Sequence, residues 1–101
     1  MKPEAVFHAL FWQDVQEASE FLDSRRAGTG AKFSAAVERE LDQVVDRPES
    51  YRVMFEQVRR ALIQKYQYVI LFELWPEGVY FYGVIHGMRD VETWFEMRLR
   101  G

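Results

Sequence analysis

A β-hairpin in the second half of the chain is the sequence feature that most restricts the fold. Residues 67–74 are nearly all β-branched, aromatic or aliphatic, and residues 79–86 have the same character. Between them lies Trp75-Pro76-Glu77-Gly78, with proline at the second position of a turn and glycine at the fourth. The pattern predicts two antiparallel strands, the second of which ends at His86.

Two registers are possible for this hairpin, and they differ in the face of the sheet that carries His86. A three-residue loop with a glycine bulge would set Trp75 opposite Val79. One face would then carry Tyr68, Ile70, Phe72 and Leu74 together with Tyr80, Tyr82, Val84 and His86. A four-residue loop would instead group His86 with Gln67, Val69, Leu71 and Glu73.

Two amphipathic helices are predicted before the hairpin. The first, of about four turns, has Phe11, Val15, Ala18 and Leu22 on one side. Ala27-Gly28-Thr29-Gly30 ends it, because glycine supplies the positive backbone angles that a reversal needs. The second helix begins near Gly30 or Ala31, and Pro48 prevents its continuation. Its apolar residues at helical spacing are Phe33, Val37, Leu41, Val44 and Val45. The short connection between the helices predicts that they pack as an antiparallel helical hairpin.

The remaining segments complete an α+β prediction. Residues 3–10 alternate weakly and predict a first strand, and residues 54–63 predict another, followed by a turn at Gln64-Lys65-Tyr66. After Gly87 a helical turn or two is expected, with Val91, Trp94 and Met97 at helical spacing. We therefore predict one domain over residues 1–101, with an N-terminal helical hairpin packed on an antiparallel sheet and a short C-terminal helical segment.

Composition narrows the classes of function. Residues 1–50 carry 6 Lys and Arg against 10 Asp and Glu, a net charge of -4, whereas residues 51–101 carry 7 against 6, a net charge of +1. General nucleic-acid binding is therefore disfavoured. With no cysteine, two histidines and no HExxH spacing, we expect neither a metal site nor a cofactor. No apolar run is long enough to span a bilayer, and a cytoplasmic location is expected.

Cleavage of RNA through the 2′-hydroxyl is one chemistry that needs no metal, only a base, an acid and cations near the phosphate. The second half offers Glu56, Arg60, His86 and Arg89 for these roles. A structural role is open for each candidate. His86 at a strand end can orient the following turn, and Glu56 can form a surface ion pair.

The candidate contact residues have structural alternatives too. Strand alternation sends Arg59 and Arg60 to opposite faces, where one of them can pair with the acidic helices. Lys65 in a turn can be merely solvated. Trp94 can anchor the last segment in the core, and Arg98 can bind a carboxylate or a backbone carbonyl instead of a phosphate.

The order and spacing of several short motifs resemble the RelE/ParE superfamily of toxins from bacterial type II toxin–antitoxin modules. The motifs are Asp14-Val15, Gly30-x-x-Phe33-x-x-x-Val37-x-x-x-Leu41, Pro48-x-x-Tyr51, Val58-Arg59-Arg60, Tyr68-x-Ile70-x-Phe72 and His86-x-x-Arg89-x-x-x-x-Trp94-x-x-Arg98. Together they span nearly the whole chain. The resemblance implies two N-terminal helices on an antiparallel sheet, and a cognate antitoxin whose disordered segment folds over the toxin in a hetero-oligomer.

Two activities are known in this superfamily. ParE-like members inhibit DNA gyrase, and RelE-like members cleave mRNA on the ribosome. The chain resembles the ParE-like side in Val58-Arg59-Arg60 and in the motif from His86 to Arg98, so gyrase inhibition is the expected function. An RNase would use Arg60, His86, Arg89 and Glu56 for catalysis. Residues expected to contact antitoxin or target are Arg59, Arg60, Lys65, Arg89, Trp94 and Arg98. An inactive toxin-fold protein that keeps only antitoxin binding is a third possibility.

Overall fold

A computed structural model describes residues 3–100 and shows the predicted α+β architecture. In chain order the helices and strands are β1 (Glu4–Phe7), α1 (Phe11–Arg25), α2 (Thr29–Asp46), a short 3₁₀ helix (Pro48–Ser50), β2 (Val53–Phe55), β3 (Val58–Ile63), β4 (Tyr68–Trp75), β5 (Gly78–His86) and α3 (Val91–Arg100). The strands form one five-stranded sheet in the order β1-β5-β4-β3-β2. In these residues no helix has the length and apolar character needed to cross a membrane.

The helical hairpin covers one face of the sheet, as predicted. The predicted apolar stripe of each helix is buried against the sheet, with Phe11, Phe33 and Val37 fully enclosed. Gly28 adopts a φ of 89° directly before α2 and makes the reversal. Gly30 lies inside α2 rather than in the turn, and a Cβ there would lie 2.6 Å from the Ser19 carbonyl oxygen. Gly30 therefore permits close packing of the two helices.

The sheet is mixed rather than wholly antiparallel. Glu4–Phe7 pair in parallel with β5, and every other neighbouring pair of strands is antiparallel. A Cβ on Gly78 would overlap the backbone of Glu4, so glycine at the start of β5 lets β1 approach. The predicted first strand, residues 3–10, is thus shorter than expected, because the chain leaves the sheet at His8 and enters α1 at Phe11.

The segment predicted as one strand over residues 54–63 is two strands. Glu56 and Gln57 form a tight turn between β2 and β3, and Glu56 has a φ of 48°. Arg59 then donates hydrogen bonds to the backbone carbonyls of Glu49 and Tyr51, at 3.3 and 2.7 Å. It thereby ties the 3₁₀ helix to the sheet. The predicted turn at Gln64-Lys65-Tyr66 is confirmed.

The β4–β5 hairpin follows neither of the predicted registers over its full length. Trp75 pairs with Gly78, which leaves a two-residue loop of Pro76 and Glu77. A bulge at Tyr82 then shifts the pairing, so that His86 still lies opposite Tyr68. The three-residue-loop register is correct for Val84 and His86, which face the helical hairpin. It is wrong for Tyr80 and Tyr82, which the bulge places on the other face.

Helix α3 packs against that other face and is longer than the predicted one or two turns. Asp90, directly before α3, accepts hydrogen bonds from the Thr93 amide and hydroxyl at 3.2 and 2.8 Å. These bonds hold the pKa of Asp90 below its usual value and start the helix. The buried residues of α3 are Val91 and Phe95, whereas Met97, predicted to lie on the apolar side, is 66% exposed.

Candidate functional site

Beyond the residues that pair with β1, no strand within residues 3–100 neighbours the outer edge of β5. Two side chains take its place. The Asp14 carboxylate accepts a hydrogen bond from the Val84 amide at 3.0 Å, and the Arg98 guanidinium donates to the Tyr82 carbonyl at 2.9 Å. Asp14 and Arg98 also form a bidentate ion pair with two distances of 2.8 Å, and their side chains are 11% and 9% exposed. The ion pair therefore joins α1 and α3 to the sheet.

Gly83 lies against this ion pair and leaves no room for a side chain. A Cβ there would contact the Asp14 carboxylate and would lie 2.5 Å from the Trp94 ring and 2.7 Å from Arg98 Nη1. The Trp94 ring packs against the Arg98 guanidinium, 4.5 Å from ring centroid to Cζ. Trp94 and Arg98 thus hold α3 on the sheet, which is the structural alternative predicted for each of them.

His86 lies at the end of β5, on the face of the sheet that carries the helical hairpin. Its Nδ1 accepts a hydrogen bond from the Met88 amide at 3.2 Å, so the neutral ring carries its proton on Nε2. The ring meets the Tyr68 ring edge-on, with centroids 5.2 Å apart. His86 therefore orients the turn that follows β5, one of the two roles predicted for it.

A cavity of about 270 Å³ lies beside His86. Arg89, Tyr68 and Glu17 also line it, so a cation, a phenol and a carboxylate share the cavity with the imidazole. Burial raises the pKa of Tyr68, and the positive charge of Arg89 opposes this effect. Tyr68 therefore remains a neutral phenol at physiological pH.

A second, more apolar groove of about 470 Å³ lies between the β1–α1 loop and α3. Leu10, Trp94 and Met97 contribute its apolar surface, and Arg89 and Asp90 contribute charged groups. Met97 is 66% exposed and is one of the most exposed large apolar side chains in residues 3–100. Flexible methionine side chains adapt to the shape of a protein partner. This groove is therefore a candidate surface for binding another polypeptide.

Arg60 and Glu56, the other two residues predicted for RNA cleavage, lie on the α3 side of the sheet. Arg60 pairs with Leu71 on β4 and so points to the face opposite that of His86. Glu56 and Glu73 line a cavity of about 560 Å³ on this α3 side, where Glu73 accepts a hydrogen bond from the Tyr82 hydroxyl at 3.0 Å. This surface thus carries two carboxylates.

The four residues predicted for RNA cleavage are divided between two places. His86 and Arg89 share a cavity at the end of β5. Arg60 lies two strands from His86 and three residues further along the sheet, roughly 14 Å at the backbone, and on the opposite face. Glu56 lies in the β2–β3 turn and lines the cavity on the α3 side. The described part of the chain contains no group of three acidic or histidine side chains that could hold a metal ion.

Some of the residues predicted to contact a partner are engaged in contacts within the chain, and others are exposed. Arg98, Trp94 and Arg59 make the internal contacts described above. Arg89 and Lys65 are exposed, and Lys65 occupies a left-handed turn position with a φ of 80°. Arg60 is half-buried on β3. A partner could therefore contact the charged groups of Arg89, Lys65 and Arg60.

Asp14 and Gly83 were not predicted to belong to any site. Asp14 stood out only as part of a motif of the resemblance, and its spacing, three residues after the buried Phe11 and four before the buried Ala18, is the local sign that it is not a solvent-facing acid. Gly83 interrupts an otherwise bulky strand, which is a known sign of a bulge or a close approach. The sequence signals at Asp14 and Gly83 are local, whereas the contacts of these two residues join α1, β5 and α3.

Two tyrosines donate hydrogen bonds to carboxylates, Tyr51 to Glu40 at 2.7 Å and Tyr82 to Glu73 at 3.0 Å. Burial, followed by these carboxylates, raises the pKa of each phenol far above its ordinary value of 10.0. Each phenol thus stays protonated in the folded protein at pH values where it would ionise in the unfolded chain.

We expect the free energy of unfolding to fall as the pH rises above about 10, because the unfolded chain then releases phenol protons that the folded protein retains. Urea denaturation at about pH 9 and about pH 11 measures this loss. In the double variant Tyr51→Phe/Tyr82→Phe the fall should be shallower than in the unchanged protein. Equal falls in the two proteins would contradict the assignment to these phenols.

Models of known protein families gave no match to the chain, and curated protein sequences gave no significant match. The fold and the surface features define an α+β protein in which an ion pair at a strand edge fixes a C-terminal helix. The superfamily stays a prediction from the motifs.

Proposed function

We propose that this chain is the toxin of a type II toxin–antitoxin module, that it resembles the ParE-like members, and that it acts in the cytoplasm by binding DNA gyrase. A cognate antitoxin neutralises it in a hetero-oligomer. The two N-terminal helices on one face of the sheet agree with what the resemblance implies, although the sheet is mixed rather than wholly antiparallel. Growth inhibition is then the expected effect of the chain when its antitoxin is missing.

The observation that carries the choice of a contact mechanism is the separation of Arg60 from His86. RNA cleavage needs the base, the acid and the cations within reach of one phosphate. Here Arg60 and His86 lie two strands apart on opposite faces of the sheet. A protein that poisons an enzyme by binding it needs no such convergence, so gyrase inhibition is favoured.

Surface charge supports the same choice. The cavity on the Arg60 side of the sheet is lined by Glu56 and Glu73, whose negative charges oppose the binding of an RNA backbone. The antitoxin would use a different surface. Leu10 and Met97 in the groove beside α3 offer apolar area to a segment that folds on binding. Arg89 in the same groove can form an ion pair with an acidic residue of that segment.

One experiment separates the possible targets. The chain is induced in bacteria without an antitoxin, and DNA and protein synthesis are followed by pulse labelling. We expect DNA synthesis to fail first, because gyrase inhibition blocks the relief of supercoiling. Translation that fails first would contradict the proposal and favour mRNA cleavage. An unaffected culture containing folded protein would favour the inactive toxin-fold protein.

Ribosome-dependent mRNA cleavage is the second candidate, and the cavity that holds His86, Arg89 and Tyr68 favours it. The variant His86→Ala distinguishes the two candidates in the same labelling experiment. If His86 were the general acid or base, the variant would lose toxicity, since such groups contribute about 10²- to 10⁴-fold to the rate. We expect toxicity to persist, because the ring orients a surface turn.

A further inference from the structure

The sheet has two edge strands, β1 and β2, and they differ in how well they resist pairing with another chain. The pairing of β2 with β3 shifts register between Val53 and Phe55, and the charged residues Arg52 and Glu56 flank β2. Irregular pairing and charge are features that protect an edge strand. Strand β1 has neither a register shift nor a charge between its ends, and no strand within residues 3–100 pairs with its outer edge.

Alternate backbone groups of β1 point away from β5. The His8 amide, directly after β1, donates to the Phe81 carbonyl at 2.9 Å, so the backbone of His8 faces β5. Alternation along the strand then turns the N–H and C=O groups of Val6 toward β5 and those of Ala5 and Phe7 toward the outer edge. No turn or loop within residues 3–100 supplies a backbone hydrogen bond to these four outward groups. They are therefore available to a further strand.

Apolar side chains flank this open edge on both faces of the sheet. Val6 pairs with Tyr80, so it faces the α3 side, and it is 37% exposed. Ala5 and Phe7 face the helical hairpin. The ring of Trp12, which is 47% exposed, lies 5.2 Å from that of Phe7 between centroids. Another strand at this edge would cover apolar surface as well as satisfy backbone groups.

We propose that β1 pairs with β1 of a second copy of this chain, antiparallel and with a twofold axis through Val6. Ala5 then lies opposite Phe7 of the partner subunit, and each of the two such pairs exchanges two backbone hydrogen bonds. All the outward groups are thereby used. Val6 lies opposite Val6 of the partner subunit in a pair of the closer type, in which side chains are in contact. The five-stranded sheets of the two copies become one continuous sheet.

The polar residues at the two ends of β1 favour this register. Glu4 and His8 lie two residues before and after Val6, so each lies opposite the other residue type across the axis. His8 Nδ1 accepts a hydrogen bond from the Leu10 amide at 3.0 Å, so the neutral ring carries its proton on Nε2. Nε2 can donate this proton to Glu4 of the partner subunit. A parallel, in-register pairing would instead set two glutamates side by side. The antiparallel contact is therefore self-complementary, as twofold symmetry requires.

The inference is independent of the toxin assignment, because it concerns β1 alone. Residues 4–8 span only about 17 Å as a strand, so the contact is smaller than a standard stable interface. We therefore expect a weak dimer that is half dissociated at about 10 to 100 µM. Sedimentation equilibrium of the full chain measures this constant. A protein that remains monomeric at about 1 mM would overturn the inference and leave the β1 edge to a different partner.

A pair of matched variants locates the contact. Val6→Lys should weaken the dimer at least about tenfold, because it sets two positive charges opposite each other at the twofold axis. Val53→Lys on the other edge strand, where the valine is 43% exposed, is the control and should leave dissociation unchanged. Circular dichroism of both variants verifies that the fold is kept. Equal dissociation of the two variants would contradict a dimer through β1.

A disulfide tests the position of the axis, since the chain has no cysteine of its own. Opposite residues of an antiparallel pair have Cα atoms about 4.5 to 5.5 Å apart, a separation that a disulfide spans. Val6→Cys should therefore form a covalent dimer when treated with oxidised glutathione. Val53→Cys should form at least about tenfold less covalent dimer under the same conditions. Equal cross-linking of the two variants, or none of either, would overturn the inference.

Discussion

Replacement of Asp14 with alanine should lower the free energy of unfolding by about 3 to 5 kcal/mol, the usual cost of removing one partner of a buried ion pair. The Asp14 carboxylate is 11% exposed and is bound by both Arg98 and the Val84 amide. Its removal leaves a buried guanidinium and a strand-edge N–H without their acceptor. Helix α3 should detach before the sheet unfolds, since the ion pair fixes α3 to the sheet.

Urea denaturation followed by circular dichroism measures this loss. Glu17→Ala, one turn further along α1 and exposed, is the control and should change stability by less than about 0.5 kcal/mol. The double variant Asp14→Ala/Arg98→Met should lose less than the sum of its single variants, because the second change removes the orphaned charge. Additive losses would show that the two side chains do not act as a pair.

Gly83→Ala is expected to lower the free energy of unfolding by about 2 to 3 kcal/mol, although it adds a single methyl group. That group would overlap the Asp14 carboxylate and lie 2.5 Å from the Trp94 ring. These neighbours cannot move aside cheaply, because Asp14 is held by Arg98 and the Trp94 ring is rigid. The cost therefore arises from a forced displacement of α3.

Gly87→Ala provides the matched control for this prediction. A Cβ at Gly87 comes no closer than 3.2 Å to the Gln67 carbonyl oxygen, so the loss should stay below about 1 kcal/mol. Urea denaturation of both variants under one set of conditions compares them directly. A Gly83→Ala protein as stable as Gly87→Ala would contradict the close approach of α3 to β5.

The helical hairpin could be predicted from the sequence because its signals are local. The apolar stripe from Phe11 to Ala18 and the stripe from Phe33 to Val44 repeat at the period of a helix, and both are buried where expected. Gly28 marks the reversal between them by its positive φ. Periodicity and glycine are sufficient here, since neighbouring residues alone determine the outcome.

The β2–β3 turn and the bulge of the sheet were harder to predict, because residues without a turn preference form them. Glu56 in that turn has a positive φ, a conformation that is uncommon for residues other than glycine. The bulge at Tyr82 is likewise set by its surroundings. Gly83 beside it must accommodate α3, and no short sequence pattern contains that requirement.

The candidate site shows the same limit at longer range. The sequence singled out Arg98 as a contact residue and offered a carboxylate or a carbonyl as its alternative partner, and the structure supplies both, Asp14 and the Tyr82 carbonyl. It could not select Asp14, which is 84 residues away, from the other acidic residues of the chain. Separation of His86 from Arg60 was equally hidden, because it depends on the hairpin register.

The parallel pairing of β1 with β5 has a consequence for the order of events during synthesis on the ribosome. Among the strands of this sheet, Glu4–Phe7 leaves the exit tunnel before the others, and its partner Gly78–His86 leaves last. Contacts between such distant segments form slowly. Until the later strands emerge, the apolar sides of α1 and α2 remain exposed on the nascent chain. The ion pair from Asp14 to Arg98 completes the fold only after residue 98 has emerged.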